Sequence, residues 1–197
     1  MKRTMLAIAL TTALGIVPAA SAQNNGEVGV FANYFRHGSE PPVNMWGLGG
    51  RFSFNVHESV QLEAEMAYDF NRAFTEGFLD TTTTIATLSF QRSHLRVLHG
   101  LFGPKFQTGG GPIRAFVTLK GGFINFRFDD RPATFGTFAS TVDELRLSDV
   151  SGVLYPGGGV EFYAWIFGLR LDVGDEIYFR DGARNNLRIS FGPHIRF

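Results

Sequence analysis

The chain has 197 residues, 18 basic and 18 acidic, with no cysteine, 24 glycines and 21 phenylalanines. Zero net charge excludes a basic nucleic-acid binder, and the absence of cysteine excludes a disulfide-stapled secreted scaffold. High glycine and phenylalanine at low charge point to a β-protein with tight steric demands.

The first 22 residues read as a separate unit. Lys2 and Arg3 precede an apolar run from Met5 to Val17, and "ASA" at 20–22 closes it with small residues. This is the pattern of a cleaved secretory signal peptide rather than a membrane-spanning helix. The remaining 23–197 are expected to form one domain, with 16 basic and 18 acidic residues. No apolar run in it approaches the ~18 residues that a spanning helix needs.

From there the chain alternates. Strand one is expected over 27–36, with Val28, Val30, Ala32 and Tyr34 on one face and Phe31 and Phe35 on the other. A polar loop follows at 37–44. Strand two, 45–56, carries Trp46, Leu48, Phe52, Phe54 and Val56 on one face and Gly47, Gly49, Arg51, Ser53 and Asn55 on the other. A short turn at 57–59 leads to strand three, "VQLEAEMAYDF" at 60–70, whose period-two pattern is the clearest in the chain. Residues 71–82 read as a longer connection. Strand four spans 83–90 and 95–106, with "QRSH" between them as a bulge or a loop. A turn at 107–112 precedes strand five, 113–128. A long loop is expected over 129–151, strand six over 153–164, a very short turn at 164–165, and strand seven over 166–179. A turn at 180–185 leads to strand eight, 186–197.

Eight strands joined by short turns at one end and longer loops at the other give the layout of a bacterial outer-membrane barrel. The expected fold is an all-β, eight-stranded, antiparallel up-and-down transmembrane β-barrel. Eleven residues at ~3.3 Å each, tilted by ~40–45°, rise about 25 Å, the height of the apolar band in such barrels. A soluble eight-stranded calyx shares the alternation but turns its apolar face inward. Three features favour the membrane: glycines beside long charged residues on the polar face, aromatic residues near strand ends, and a last strand that runs to Phe197.

With the polar face inside, its charges must be paired, because an isolated buried charge is costly. Glu63, Glu65, Asp69, Glu161 and Asp172 are the candidate acids. Arg51, Arg170, Arg188 and Arg196 are the candidate bases, with Lys105 as a further candidate. The expectation is a lumen filled by ion pairs rather than an open pore, with the strand-eight arginines reaching across to strand three.

Sites of chemistry are scarce. No phosphate-binding glycine motif is present. His94 and His99 lie five apart, on opposite faces of a strand, and share no metal by local geometry. The acidic pairs at 129–130, 143–144 and 175–176 read as solvated loop charge. Ser93-His94 and His57-Glu58-Ser59 hold the residue types of a triad without its spacing. The chain is expected to be no enzyme, with no metal and no cofactor.

"YPGGGVEFY", "FGLRLDVGDEIYF" and "NLRISFGPHIRF" resemble the last strands of the OmpA-like and OmpX-like small outer-membrane barrels. The resemblance implies a monomer in contact with the lipid bilayer and lipopolysaccharide. It also implies an assembly signal, Phe191, Pro193, Ile195 and Phe197, read by the barrel-assembly machinery. The function expected is a structural or surface-contact role. The alternatives are a small porin-like solute channel, a lipid-modifying barrel enzyme and a soluble periplasmic calyx.

Overall fold

A computed structural model describes residues 25–38, 42–80, 87–109, 111–128, 137–138, 150–179 and 182–197; over 71–72, 74–80, 87–93 and 137–138 only the backbone is described. The expected leader over 1–22 and most of the expected loop over 129–151 lie outside these residues. The described residues contain no helix. They form eight barrel strands: β1 Gly26–His37, β2 Val43–His57, β3 Val60–Asp80, β4 Thr87–Gln107, β5 Ile113–Phe128, β6 Val150–Ala164, β7 in two pieces, Phe167–Asp175 and Ile177–Phe179, and β8 Leu187–Arg196.

Each strand pairs antiparallel with its sequence neighbours, and β8 pairs with β1 from Glu27↔Arg196 to Arg36↔Leu187. The backbone of Phe197 exchanges hydrogen bonds of 2.9 and 3.0 Å with Gly26, so the ring of strands is sealed at its last residue. Within the closed ring no strand edge is left, which is how a β-protein satisfies its backbone without water.

Two expected connections are strand instead. β3 continues to Asp80, and β4 runs unbroken through "QRSH", paired residue for residue from Arg72↔Leu95 to Asp80↔Thr87. The only irregularity of this pair is a register shift on β3 between Asp69 and Arg72. At ~3.3 Å per residue and a ~40° tilt, 21 residues climb roughly 50 Å, far past a ~25 Å apolar band. Backbone pairing therefore carries the hairpin beyond the barrel wall, where side-chain alternation no longer marks it. A two-residue pairing, Phe78↔Phe138 and Leu79↔Thr137, joins the 129–151 connection to this extension. At the other end the connections are tight. The β6–β7 turn is Trp165–Ile166, with Trp165 held at φ 61°.

Three prolines sit mid-strand among the described residues, and each interrupts the ladder on one side only. Pro104 pairs with Leu62 on β3, yet the β4–β5 ladder skips from Phe102↔Gly121 to Lys105↔Thr118. Pro156 keeps Leu119 on β5 and breaks the β6–β7 ladder between Leu154↔Ile177 and Gly157↔Gly174. Pro193 keeps Leu169 on β7 and breaks the closing seam between Gly29↔His194 and Ala32↔Phe191. Proline has no N–H to give the facing carbonyl, so the gap falls on the side its nitrogen faces.

The two faces divide sharply. Val30, Trp46, Leu48, Val117 and Phe102 point outward and are 57–64% exposed. Glu63, Asp69, Lys105, Lys120, Glu161 and Glu176 point inward and are fully buried. A soluble calyx would need the reverse. An apolar wall of this extent is unsuited to water and suited to lipid.

Candidate functional site

The interior is filled from the short-turn end upward by charge, then by aromatic and aliphatic side chains. Glycines make the room. At Gly49 an added Cβ would overlap the ring of Phe31, and at Gly174 the ring of Tyr155. Large interior side chains thus lie flat on bare backbone of a neighbouring strand, as the narrow lumen of an eight-stranded barrel demands.

Three charge clusters follow one another along the axis. In the lowest, Lys105 Nζ lies 2.6 Å from Glu161 Oε1 and 3.7 Å from Glu27 Oε2. Arg196 Nε stands 3.4 Å from Glu27 Oε1. The Tyr163 hydroxyl is 2.9 Å from an oxygen of each glutamate.

The middle cluster is centred on Arg170 and Glu63. Arg170 donates to Glu63 at 2.5 Å and 3.2 Å and to Asp172 at 2.6 Å. Lys120 bridges Glu63 and Glu65 at 2.5 and 2.9 Å. Arg188, from β8, reaches Glu65 on β3 at 2.6 Å. Arg51 donates to Ser190 at 2.9 Å, lies 3.9 Å from Glu65 and covers the Phe31 ring at 4.4 Å. The Tyr155 hydroxyl donates to Asp172 at 2.7 Å.

The upper cluster closes a loop of contacts. Arg188 Nε donates to Asn33 Oδ1 at 2.8 Å, and Asn33 donates to Asp69 at 2.7 Å. His99 places one ring nitrogen 2.9 Å from Asp69 and the other 2.7 Å from Glu176. Glu176 returns to Arg188 Nε at 3.6 Å. A neutral imidazole can donate from one nitrogen only, whereas an imidazolium donates from both. Among the described residues the interior holds seven buried carboxylates and six buried Lys and Arg side chains. A charged His99 brings the two into balance.

Above and beside this cluster lies an apolar cap of Phe35, Met45, Leu95, Val97, Leu101, Ile124, Phe126, Val153, Tyr155 and Tyr178. Phe35 meets His99 edge-on at 4.9 Å, and Phe126 and Tyr178 meet at 5.6 Å. The interior is therefore not polar throughout, because Phe35 and its neighbours take inward positions at the long-loop end.

Every residue nominated for the interior network lies inside: Arg51, Glu63, Glu65, Asp69, Glu161, Arg170, Asp172, Arg188 and Arg196 are all buried. Their contacts run on from cluster to cluster: Arg170 joins Glu161 to Glu63, and Arg188 joins Glu65 to Glu176. Arg188 crosses to β3, whereas Arg196 stays with Glu27 on the adjacent strand. Glu176, read as loop charge, is a correction: it is fully buried at the break in β7 and bonded to His99. Its partner in that pair, Asp175, accepts the backbone N–H of Asn186. Glu27, His99 and Lys120 were missed, though each occupies an inward position in the same alternation as its neighbours. Phe191, Pro193, Ile195 and Phe197 take the outward positions of the closing strand and its terminus.

No family model matches the chain, and no curated protein matches it. Solved structures do. Ail, the attachment invasion locus protein of Yersinia pestis, superposes with a TM-score of 0.56 at 14% identity, over 89% of this chain and 100% of that one. Neisserial surface protein A gives 0.59 at 10% identity, over 90% and 100%. OprG, an outer membrane protein of Pseudomonas aeruginosa, gives 0.50 at 11%, over 88% and 95%. The chain has the fold of the eight-stranded transmembrane outer-membrane barrels.

Proposed function

We propose that the chain is an integral outer-membrane β-barrel of the OmpA-like and OmpX-like kind, non-enzymatic and non-conducting, that works through its long-loop end. The observation that carries this reading is the pairing of an apolar outer wall with an interior blocked twice, by three ion clusters and by the aromatic cap. On it, the short turns face the periplasm and the extended β3–β4 hairpin projects from the cell. The belt that includes Tyr34 and Trp46, whose rings stand 4.9 Å apart, sits at the outer interface against lipopolysaccharide. The ion clusters serve as the barrel's internal staple.

The fold of Ail supports a surface-contact role, since that protein is named for attachment and invasion and binds the heparin analogue sucrose octasulfate. The outward Phe191, Pro193, Ile195 and Phe197 would engage the barrel-assembly machinery, and the mature barrel would act as a monomer. A cleaved leader over 1–22 would deliver it.

Expression in a Gram-negative host tests the reading. The protein should fractionate with outer membranes, resist salt extraction and shift in mobility between boiled and unboiled samples. Planar bilayers should record no conductance above lipid background. Salt extraction without a mobility shift contradicts the membrane reading, and steady single-channel steps contradict the blocked interior.

A further inference from the structure

Among the described residues, His194 is the exception in an interior where buried ionisable side chains are otherwise hydrogen-bonded or ion-paired. It is 4% exposed, and neither ring nitrogen has a hydrogen-bond partner. An uncompensated buried polar group of this kind carries a desolvation cost and calls for an explanation. Its ring lies on Gly168, where an added Cβ would overlap it, and it meets the Tyr163 ring edge-to-face at 5.0 Å. The charged groups around it are the carboxylates Glu27 and Glu161 and the cations Lys105 and Arg170. One donor atom each from His194, Glu27 and Glu161 lie within 4.8 Å of one another.

We propose that Glu27, Glu161 and His194 form a site for a divalent transition-metal cation, Zn²⁺ in the first place, at the short-turn end of the interior. One imidazole and two carboxylates are a borderline N/O donor set of the kind zinc takes. Donors on a tetrahedral zinc at ~2.0–2.1 Å stand about 3.3 Å apart, so the three side chains close on an ion by small torsional changes. The Tyr163 hydroxyl, 2.9 Å from Glu27 Oε1 and from Glu161 Oε2, orients both carboxylates from the outer shell. Lys105 is the built-in competitor, because its ammonium already holds Glu161 at 2.6 Å. Arg196 near Glu27 and Arg170 near Glu161, both at 3.4 Å, oppose the ion as well. The site therefore binds zinc by displacing Lys105 and discriminates against Mg²⁺, which takes no imidazole readily. The three ligands come from β1, β6 and β8, so no local motif betrays them.

Isothermal titration of Zn²⁺ into the full chain, refolded in detergent and shown folded by its gel mobility, tests the site. One zinc per chain is expected. Lys105→Met should tighten binding at least tenfold, and His194→Gln should weaken it at least tenfold. Equal binding by wild type and His194→Gln overturns the proposal, as does the absence of binding by both wild type and Lys105→Met. X-ray absorption on zinc-loaded wild-type protein needs no variant. A shell of one imidazole with oxygen donors is the result expected, and two or more imidazoles contradict it.

Discussion

Arg188 on β8 donates to Glu65 on β3 at 2.6 Å, across the barrel and across 123 residues of sequence. The same guanidinium reaches Asn33 on β1 at 2.8 Å. One side chain thereby ties the closing strand to two others through the interior, in addition to the backbone ladder that seals the ring. Arg188→Met should cost about 3–5 kcal/mol by leaving Glu65 and Glu176 short of a buried cation. Glu65→Leu alone should cost a similar amount. The double variant should fall well short of the sum, since it removes both charges together. Urea unfolding of the refolded barrel, followed by the unboiled band on gels, completes the cycle.

Glu63 accepts from Arg170 and pairs with Lys120, so Glu63→Leu strips one acceptor from two buried cations. A loss of roughly 3–5 kcal/mol is expected in the same assay. An unchanged midpoint would mean that Glu63 is solvated, against its complete burial.

His99 separates Asp69 from Glu176, and His99→Leu would leave two carboxylates facing one another with no cation between them. A loss of the order of 3 kcal/mol is expected in the same urea assay. An unchanged midpoint would mean that His99 does not hold the two carboxylates together.

Pro193 withholds an N–H from the carbonyl of Val30 at the closing seam, where the ladder skips two residue pairs. Pro193→Ala restores that donor. Refolded in lipid, the variant should gain about 0.5–1.5 kcal/mol, the ordinary net worth of one backbone hydrogen bond. Amide exchange at Val30 to Ala32 should slow as well. Faster exchange there would show that the seam gap has another cause.

Period-two alternation in Val60–Phe70 and in the last two strands made the barrel and its two faces legible, because each face meets a single medium over the apolar band. Beyond the band that signal ends. The strand character of 71–80 and of "QRSH" comes from pairing between β3 and β4, and neither partner can be read alone. Individual partners were hidden for a related reason. Which arginine meets which glutamate depends on the stagger of strands around the barrel, so Arg188 and Arg196, eight residues apart, find acids on β3 and β1 respectively. Glu176 was misread as loop charge beside Asp175, although it continues the inward alternation of Arg170, Asp172 and Gly174, and that parity runs on across the break in β7 to Tyr178.

The most direct test uses the lack of native cysteine. Single cysteines at Met66, Ala67 and Tyr68 on β3 take spin labels one at a time, in protein refolded into lipid vesicles. Positions 66 and 68 should be open to oxygen, which dissolves in lipid, and closed to a water-soluble nickel chelate. Position 67, buried in the interior, should be closed to both. Strong collision with the nickel chelate at 66 and 68 would place the apolar wall in water and contradict the account.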